Sequence, residues 1–259
     1  AENKKLSCFL MADCGGIDLR SYFDGCFELD VFAQALSSYK TLQKATVPYV
    51  DKFIHLGIPD WRLDKLPYLY QEIIENQKLL NALGLDKKEQ RQLHNLSVDF
   101  SYACKELASY PIPECFNNCD FKDKNILYRK ERLDLSFIDF GQSAVCHPFF
   151  SLTYSLGESS AYYLLEKKSK IYKDLVYCYF GSWLESDRDL KEVLRLVDKI
   201  YPIYALLVLM HLIRSGRSFL LNKPLKKYRV YLFYLRFFIK VNSLIDRKSY
   251  YDYFSSEGY

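Results

Sequence analysis

Histidine is scarce in this chain. Only four occur in 259 residues, and His55, His94 and His211 stand singly and far apart. Its eight cysteines include no C-x-x-C pair. Cys115-x-x-x-Cys119 has no matching second pair, so a zinc site is not expected. There are ten glycines, widely dispersed, and no glycine-rich stretch of the kind that cradles phosphate. The net charge is only +4, without a long basic run, which excludes nucleic acid as an expected partner. The longest strongly apolar run, Tyr201 to Ile213, is shorter than the ~20 residues that span a bilayer and reads as a core helix. No apolar signal region follows the Ala-Glu-Asn-Lys-Lys start. Reduced thiols are the simpler reading of the scattered cysteines, so a cytoplasmic location is expected, with no membrane partner.

What is present is a core-forming composition. Hydrophobic residues make up 49% and charged residues 26%, which indicates a globular chain. With 23 Tyr and 18 Phe, that core should be bulky. No internal repeat, linker or interior domain boundary is evident. Asp18 can cap a short helix, and after it Val31, Phe32, Ala35, Leu36 and Tyr39 share one helical face. Gly57 to Asp60 reads as a turn. A helix is predicted over Leu69–Leu83, closed by Gly84. Residues 86–109 continue the pattern up to Pro111-Ile112-Pro113. Further helices are predicted over 158–180, closing at Gly181, over 201–215 with Pro202 in the first turn, and from about Leu225 to Asp246. Ser186-x-x-Asp189 can cap the helix between. The tail from Lys248 to Tyr259 is expected to fray.

The informative stretch runs from Asn117 to Leu152. Asp120 and Asn125 form D-x-x-x-x-N, and an apolar run, Leu135-Ser136-Phe137-Ile138, leads into Asp139-Phe140-Gly141. Ile126-Leu127-Tyr128 and Leu135 to Ile138 read as two strands joined by the charged turn Arg129-Lys130-Glu131-Arg132. Asp120 would lie just before the first strand and Asp139 just after the second. Phosphoryl transfer uses these parts: one carboxylate for the attacking hydroxyl, and an amide oxygen and second carboxylate for Mg²⁺ on the nucleotide phosphates. Asp or Asn alone fills loops for many reasons. The two-part pattern, with an apolar strand before its second acid, is more specific. Asp123 and Lys124 read as surface residues.

The stretch resembles the catalytic core of the aminoglycoside phosphotransferase and choline kinase-like family, a branch of the protein-kinase-like fold. The family pattern is roughly H-x-D-x-x-x-x-N followed by I-D-[FW]-G. Here it stands as Asn118-Cys119-Asp120 through Asn125, then Ile138-Asp139-Phe140-Gly141. The resemblance implies that Asp120 is the catalytic base and that Asn125 and Asp139 bind Mg²⁺. Lys122 stands where protein kinases carry a lysine near the transferred phosphate, and reads equally as a solvated loop lysine. His147, in the following His-Pro-Phe-Phe-Ser-Leu block, is expected to brace the loop after Asp139. The family histidine two residues before the base is replaced by Asn118.

Residues 6–16, LSCFLMADCGG, resemble the segment joining the two kinase lobes, so the backbone around Met11, Ala12 and Asp13 is expected to meet the adenine of ATP. Only about five residues precede Leu6, leaving no room for the ATP-clamping lobe. The implied fold is therefore mainly α with a small β-hairpin (α+β): the C-terminal lobe of a protein-kinase-like fold. Residues 1–16 would be the interlobe strand and turn, and 17–259 the lobe. Within the lobe, 117–152 is the catalytic block and 153–259 a helical acceptor-side subdomain. The implied activity is transfer of the γ-phosphoryl group of ATP to a small-molecule hydroxyl such as an aminoglycoside, a choline-like alcohol or a sugar. Glu158 and Asp252 read as solvated surface acids. The alternative is a non-catalytic, pseudokinase-like interaction module, favoured by Asn118 and by the missing lobe.

Overall fold

Apolar spacing sets the helices, and small sheets of two or three strands hold the loops between them. A computed structural model describes residues 2–3, 8–9, 12–166, 168–181, 183–184, 190–214, 232–233, 235–236 and 238–240. The strands are β1 (Glu2–Asn3), β2 (Cys8–Phe9), β3 (Ile17–Asp18), β4 (Asp60–Trp61), β5 (Cys115–Asn118), β6 (Ile126–Arg129), β7 (Asp134–Phe137) and β8 (Ser143–Cys146). The helices are α1 (Leu19–Phe23), α2 (Leu29–Thr46), α3 (Val50–His55), α4 (Leu66–Glu75), α5 (Gln77–Ala82), α6 (Lys87–Asn95), α7 (Ser97–Ala108), α8 (Phe149–Tyr163), α9 (Lys170–Phe180) and α10 (Leu190–Arg214). The architecture is the expected mainly helical α+β.

Asp18 caps α1 as expected, its carboxylate accepting from Ser21 N at 3.0 Å. Helix α2 buries Phe32, Ala35, Leu36, Tyr39 and Gln43. It lies against α9, while α10 packs on α7 and α8. A capping box between Asp86 and Glu89 starts α6.

Three helix predictions need correction. The segment 69–83 is two helices, because Asn76 leaves helical conformation (ψ 79°) and its side chain caps the second by accepting from Leu79 N. The segment 158–180 is also two. Helix α8 begins at Phe149, just after Pro148, and ends where Leu164 turns left-handed (φ 53°). Pro202 is not in a first turn. It lies inside α10, which starts at Leu190. An interior proline costs ~3 kcal/mol or more, and burial of Val193, Leu196, Val197, Ile200, Ile203, Tyr204 and Leu207 along the same helix offsets it. The Ser186–Asp189 cap, the tail and most of the last predicted helix fall outside the described residues. Within that helix, 232–233, 235–236 and 238–240 are helical.

The expected hairpin is present: β6 and β7 pair antiparallel, Ile126 opposite Phe137 and Arg129 opposite Asp134, and β3 adds a third strand along β6. A second sheet, β4-β8-β5, was not expected. Its strands are two to four residues long, and Cys115-Phe116-Asn117-Asn118 carries two residues depleted in strands. Tertiary bonds override that propensity. Asn117 is wholly buried, and its amide nitrogen donates to Cys115 O and Cys146 O, each at 2.9 Å. Its oxygen accepts from Gln43 Nε2 at 2.7 Å and Ser151 Oγ at 2.8 Å. The Tyr179 hydroxyl bonds Gln43 Oε1 in turn, and Tyr39 donates to Ser151 Oγ at 3.2 Å. This buried network ties α2, β5, β8, α8 and α9 together.

Two outcomes follow. Asn117→Ala should lower stability by roughly 2–4 kcal/mol, since it leaves several buried groups unpaired, and urea denaturation would measure the loss. Asn117→Asp provides an isosteric comparison. Glu114, just before β5, accepts a short bond from Leu63 N, and burial pushes its carboxyl up to about 7. Between its ordinary value and about 7 the folded chain binds more protons than the unfolded one, so this group's contribution to stability falls as pH rises through that window. Glu114→Gln should therefore stabilise by roughly 2 kcal/mol at pH 8 and by much less at pH 5. Equal gains at both pH values would refute titration of Glu114 in this range.

Candidate active site

The β6–β7 hairpin brings the predicted residues to one end of the fold. Asn125 precedes β6 and Ile138 follows β7, with Ile138 N donating to Asn125 O at 3.0 Å. Asp139 comes next, so the backbone brings the two expected metal ligands to the open end of the ladder. A four-residue turn closes the other end, where Arg129 pairs with Asp134. Gln34 of α2 donates to Leu133 O at 2.8 Å and docks that turn on the helices.

Asp120 lies in the loop between β5 and β6 and is largely buried. Its carboxylate accepts from Lys122 Nζ on both oxygens, at 2.8 and 2.7 Å. Asn125 Nδ2 reaches Oδ2 at 3.2 Å and the Asp120 carbonyl at 2.8 Å. A third donor comes from α8: the Tyr154 hydroxyl lies 3.1 Å from Oδ1. A carboxylate held in this way has one orientation, and its roughly four acceptor sites are taken, so an incoming hydroxyl takes the place of a Lys122 bond. Lys122 is thus no solvated loop lysine. It is a half-buried partner of the expected base.

The donor set suits a hard cation. The Asn125 amide nitrogen is held by Asp120, which leaves its oxygen for another partner. Asp139 is exposed, and no hydrogen bond or ion pair engages its carboxylate among the described residues. One amide oxygen and one carboxylate match the sparse protein contribution that Mg²⁺ takes when phosphate and water complete its shell. The Asp139 backbone is left-handed (φ 57°, ψ 61°), a conformation Asp tolerates better than most residues at a cost of ~1 kcal/mol.

Asn118 fills the place of the missing histidine with two bonds. Its oxygen accepts from Asp120 N at 2.9 Å, and its nitrogen donates to Asp139 O at 3.1 Å. One amide therefore spans both halves of the motif. Cys119 N adds a bond to Gln142 O at 2.8 Å. Tyr39 stacks on Phe121 at 3.8 Å and accepts from Asn118 N at 2.7 Å, which pins the loop to α2. Cys119 is a buried bystander whose thiol burial pushes up to about 12. The ring bond of His147 runs to the start of α8, and no bond to the loop after Asp139 is made among the described residues. Its Nδ1 accepts from Phe149 N at 3.3 Å, and burial lowers its pKa to about 3.

Met11 lies outside the described residues. Ala12 and Asp13 are exposed, and Asp13 accepts from Gly15 N at 2.8 Å in the turn. Gly16 (φ 81°) ends it, and a Cβ there would stand 2.5 Å from Tyr128 O. Only glycine permits this approach, which sets the turn directly against β6.

Asp123 is the clear correction. It is 1% exposed. Arg20 Nε donates to both its oxygens, at 3.0 and 2.9 Å, and Tyr163 donates at 2.5 Å. Arg20 also meets Glu158 at 3.2 Å and lies 4.1 Å from the centre of the Tyr162 ring. Asp123 therefore fastens the loop between β5 and β6 to α1 and α8, and Glu158 is a half-exposed ion-pair partner. Lys124 is exposed as expected. Sequence reasoning passed over Arg20, Asn117, Ser151 and Tyr154. A signal for α8 existed in the i, i+4, i+8 spacing of Tyr154, Glu158 and Tyr162.

No family profile matches the sequence, and no curated protein matches it at a significant level. Solved structures do. APH(2″)-IIia, solved with GDP and kanamycin, superposes with a TM-score of 0.54 at 18% identity, over 89% of this chain and 69% of its own. An ethanolamine kinase from Plasmodium vivax gives a TM-score of 0.55 at 15% identity, over 85% of this chain and 63% of its own. The chain thus spans about two thirds of the length of these neighbours. It has the kinase-like fold of the aminoglycoside phosphotransferase and choline/ethanolamine kinase type.

Proposed function

We propose that this chain is the catalytic lobe of a phosphotransferase that moves the γ-phosphoryl group of ATP to the hydroxyl of a small molecule. The supporting observation is the convergence of Asp120, Asn125 and Asp139 at one end of the hairpin, with Asp120 oriented by Lys122 and Asn125. The neighbours with this fold include one solved with GDP and kanamycin and an ethanolamine kinase. A purine nucleotide as donor and an amino alcohol or aminoglycoside as acceptor fit the reading.

In this mechanism Asp120 orients the acceptor hydroxyl and takes its proton as the oxygen attacks phosphorus. Asn125 Oδ1 and the Asp139 carboxylate would hold Mg²⁺, which when bound neutralises charge on the nucleotide phosphates. Lys122 would turn from Asp120 to the transferred phosphoryl oxygens. Residues 1–16, with Met11, Ala12 and Asp13, would serve as the interlobe segment beside the nucleotide base. Residues 117–152 would be the catalytic block, and the helices after 152 would line the acceptor site. Asn118 makes the loop-bracing bonds itself, so its presence does not argue for a non-catalytic module.

Transfer from labelled ATP or GTP to kanamycin and to ethanolamine, with Mg²⁺, tests the reading on the chain together with whatever its gene encodes upstream. Asp120→Ala should reduce turnover by at least about 10²–10⁴-fold. Asp139→Ala should abolish Mg²⁺-dependent nucleotide binding in calorimetry. Undiminished turnover in Asp120→Ala would sink the mechanism.

A further inference from the structure

Three donors hold the Asp120 carboxylate, and they differ in where they are anchored. Lys122 and Asn125 belong to the same loop, two and five residues further along. Tyr154 comes from 34 residues away, on α8. That helix has anchors of its own in the core. Phe149 and Phe150 are wholly buried at its first turn, and Ser151 joins the Asn117 network. The Tyr154 hydroxyl therefore refers the carboxylate to the helical core, whereas the other two refer it to its own loop and the mouth of the hairpin.

The donors also differ in what the reaction asks of them. An ammonium on a flexible four-carbon stem suits phosphate oxygens, and Lys122 leaves the carboxylate if it follows the phosphoryl group. Asn125 then holds Oδ2 and Tyr154 holds Oδ1. Two donors on different oxygens fix the plane of a carboxylate, while one alone leaves it free to rotate about Cβ–Cγ. Each oxygen offers about two acceptor sites, so Oδ1 can bond the phenol and still face an incoming hydroxyl.

We infer that Tyr154 is a positioning residue for phosphoryl transfer: its hydroxyl fixes the rotation of the Asp120 carboxylate against α8 and so aims the lone pair that receives the acceptor's proton. This inference rests on the function proposed above. Small misplacements of reacting groups cost up to ~10²-fold in rate, which sets the size of the expected effect.

Tyr154→Phe keeps the ring and removes only the hydroxyl. In the transfer assay with Mg·ATP and kanamycin or ethanolamine, its kcat should fall by roughly 10–100-fold. KM for nucleotide and acceptor should be unchanged, with an unaltered melting temperature. A purely structural role would move the melting temperature and not this split. A second measurement is independent of turnover. With 3-fluorotyrosine incorporated at position 154, the ¹⁹F resonance should move when Asp120→Asn is introduced. Wild-type kcat in Tyr154→Phe, or a ¹⁹F resonance indifferent to Asp120→Asn, overturns the inference. Full turnover in Asp120→Ala overturns instead the reading on which it rests.

Discussion

The buried amide of Asn117 is the constraint on which the rest of this structure depends. It uses both its donor and its acceptor ends, joining the backbone of β5 and β8 to Gln43 of α2 and Ser151 of α8. Polar groups this deep are tolerated only when each has a partner, and a fully paired network specifies one arrangement of its members. Tyr39 and Tyr179 extend it through their phenols, and burial pushes both well above the ordinary tyrosine range. They act here as neutral hydrogen-bonding groups. The next residue, Asn118, opens the loop that carries Asp120, so the register of that loop follows from the network.

From that anchor the loop is built outward by short-range chemistry. Asn118 joins Asp120 to the carbonyl of Asp139, Asn125 joins Asp120 to the mouth of the hairpin, and Arg20 holds Asp123 from the other side. Apolar packing supplies the remainder, with Phe121 against Tyr39 and Phe137. A strained left-handed Asp139 is then affordable, because its neighbours on both sides are bonded. Ile138 is held at Asn125, and Gln142 at Cys119.

Much of this was legible in the sequence, and the gaps have physical causes. The hairpin, with Asp120 and Asn125 before it and Asp139 after it, was readable because strand alternation and motif spacing are local signals. The helical face of α2 was readable for the same reason. Helix ends were not, where one residue decided them: Asn76 breaks a continuous apolar period, Leu164 turns left-handed without being glycine, and Pro202 is tolerated mid-helix because burial outweighs it. Asp123 was misread because a charged residue in a loop is exposed by default, and its partner Arg20 is 103 residues away. The sheet containing β5 stayed hidden for the same reason, since its stability lies in side-chain bonds to α2 and α8. The resemblance located the motif, and the long-range bonds explain how Asn118 can stand where histidine was expected.

Gly16 has a consequence of its own. The turn that would border the nucleotide base and the hairpin that would border its phosphates touch where Tyr128 O meets Gly16, in space too small for a methyl group. The spacing between that turn and the hairpin is thus gauged at the backbone, by the absence of one carbon atom. Side chains on either segment can vary without altering that backbone contact.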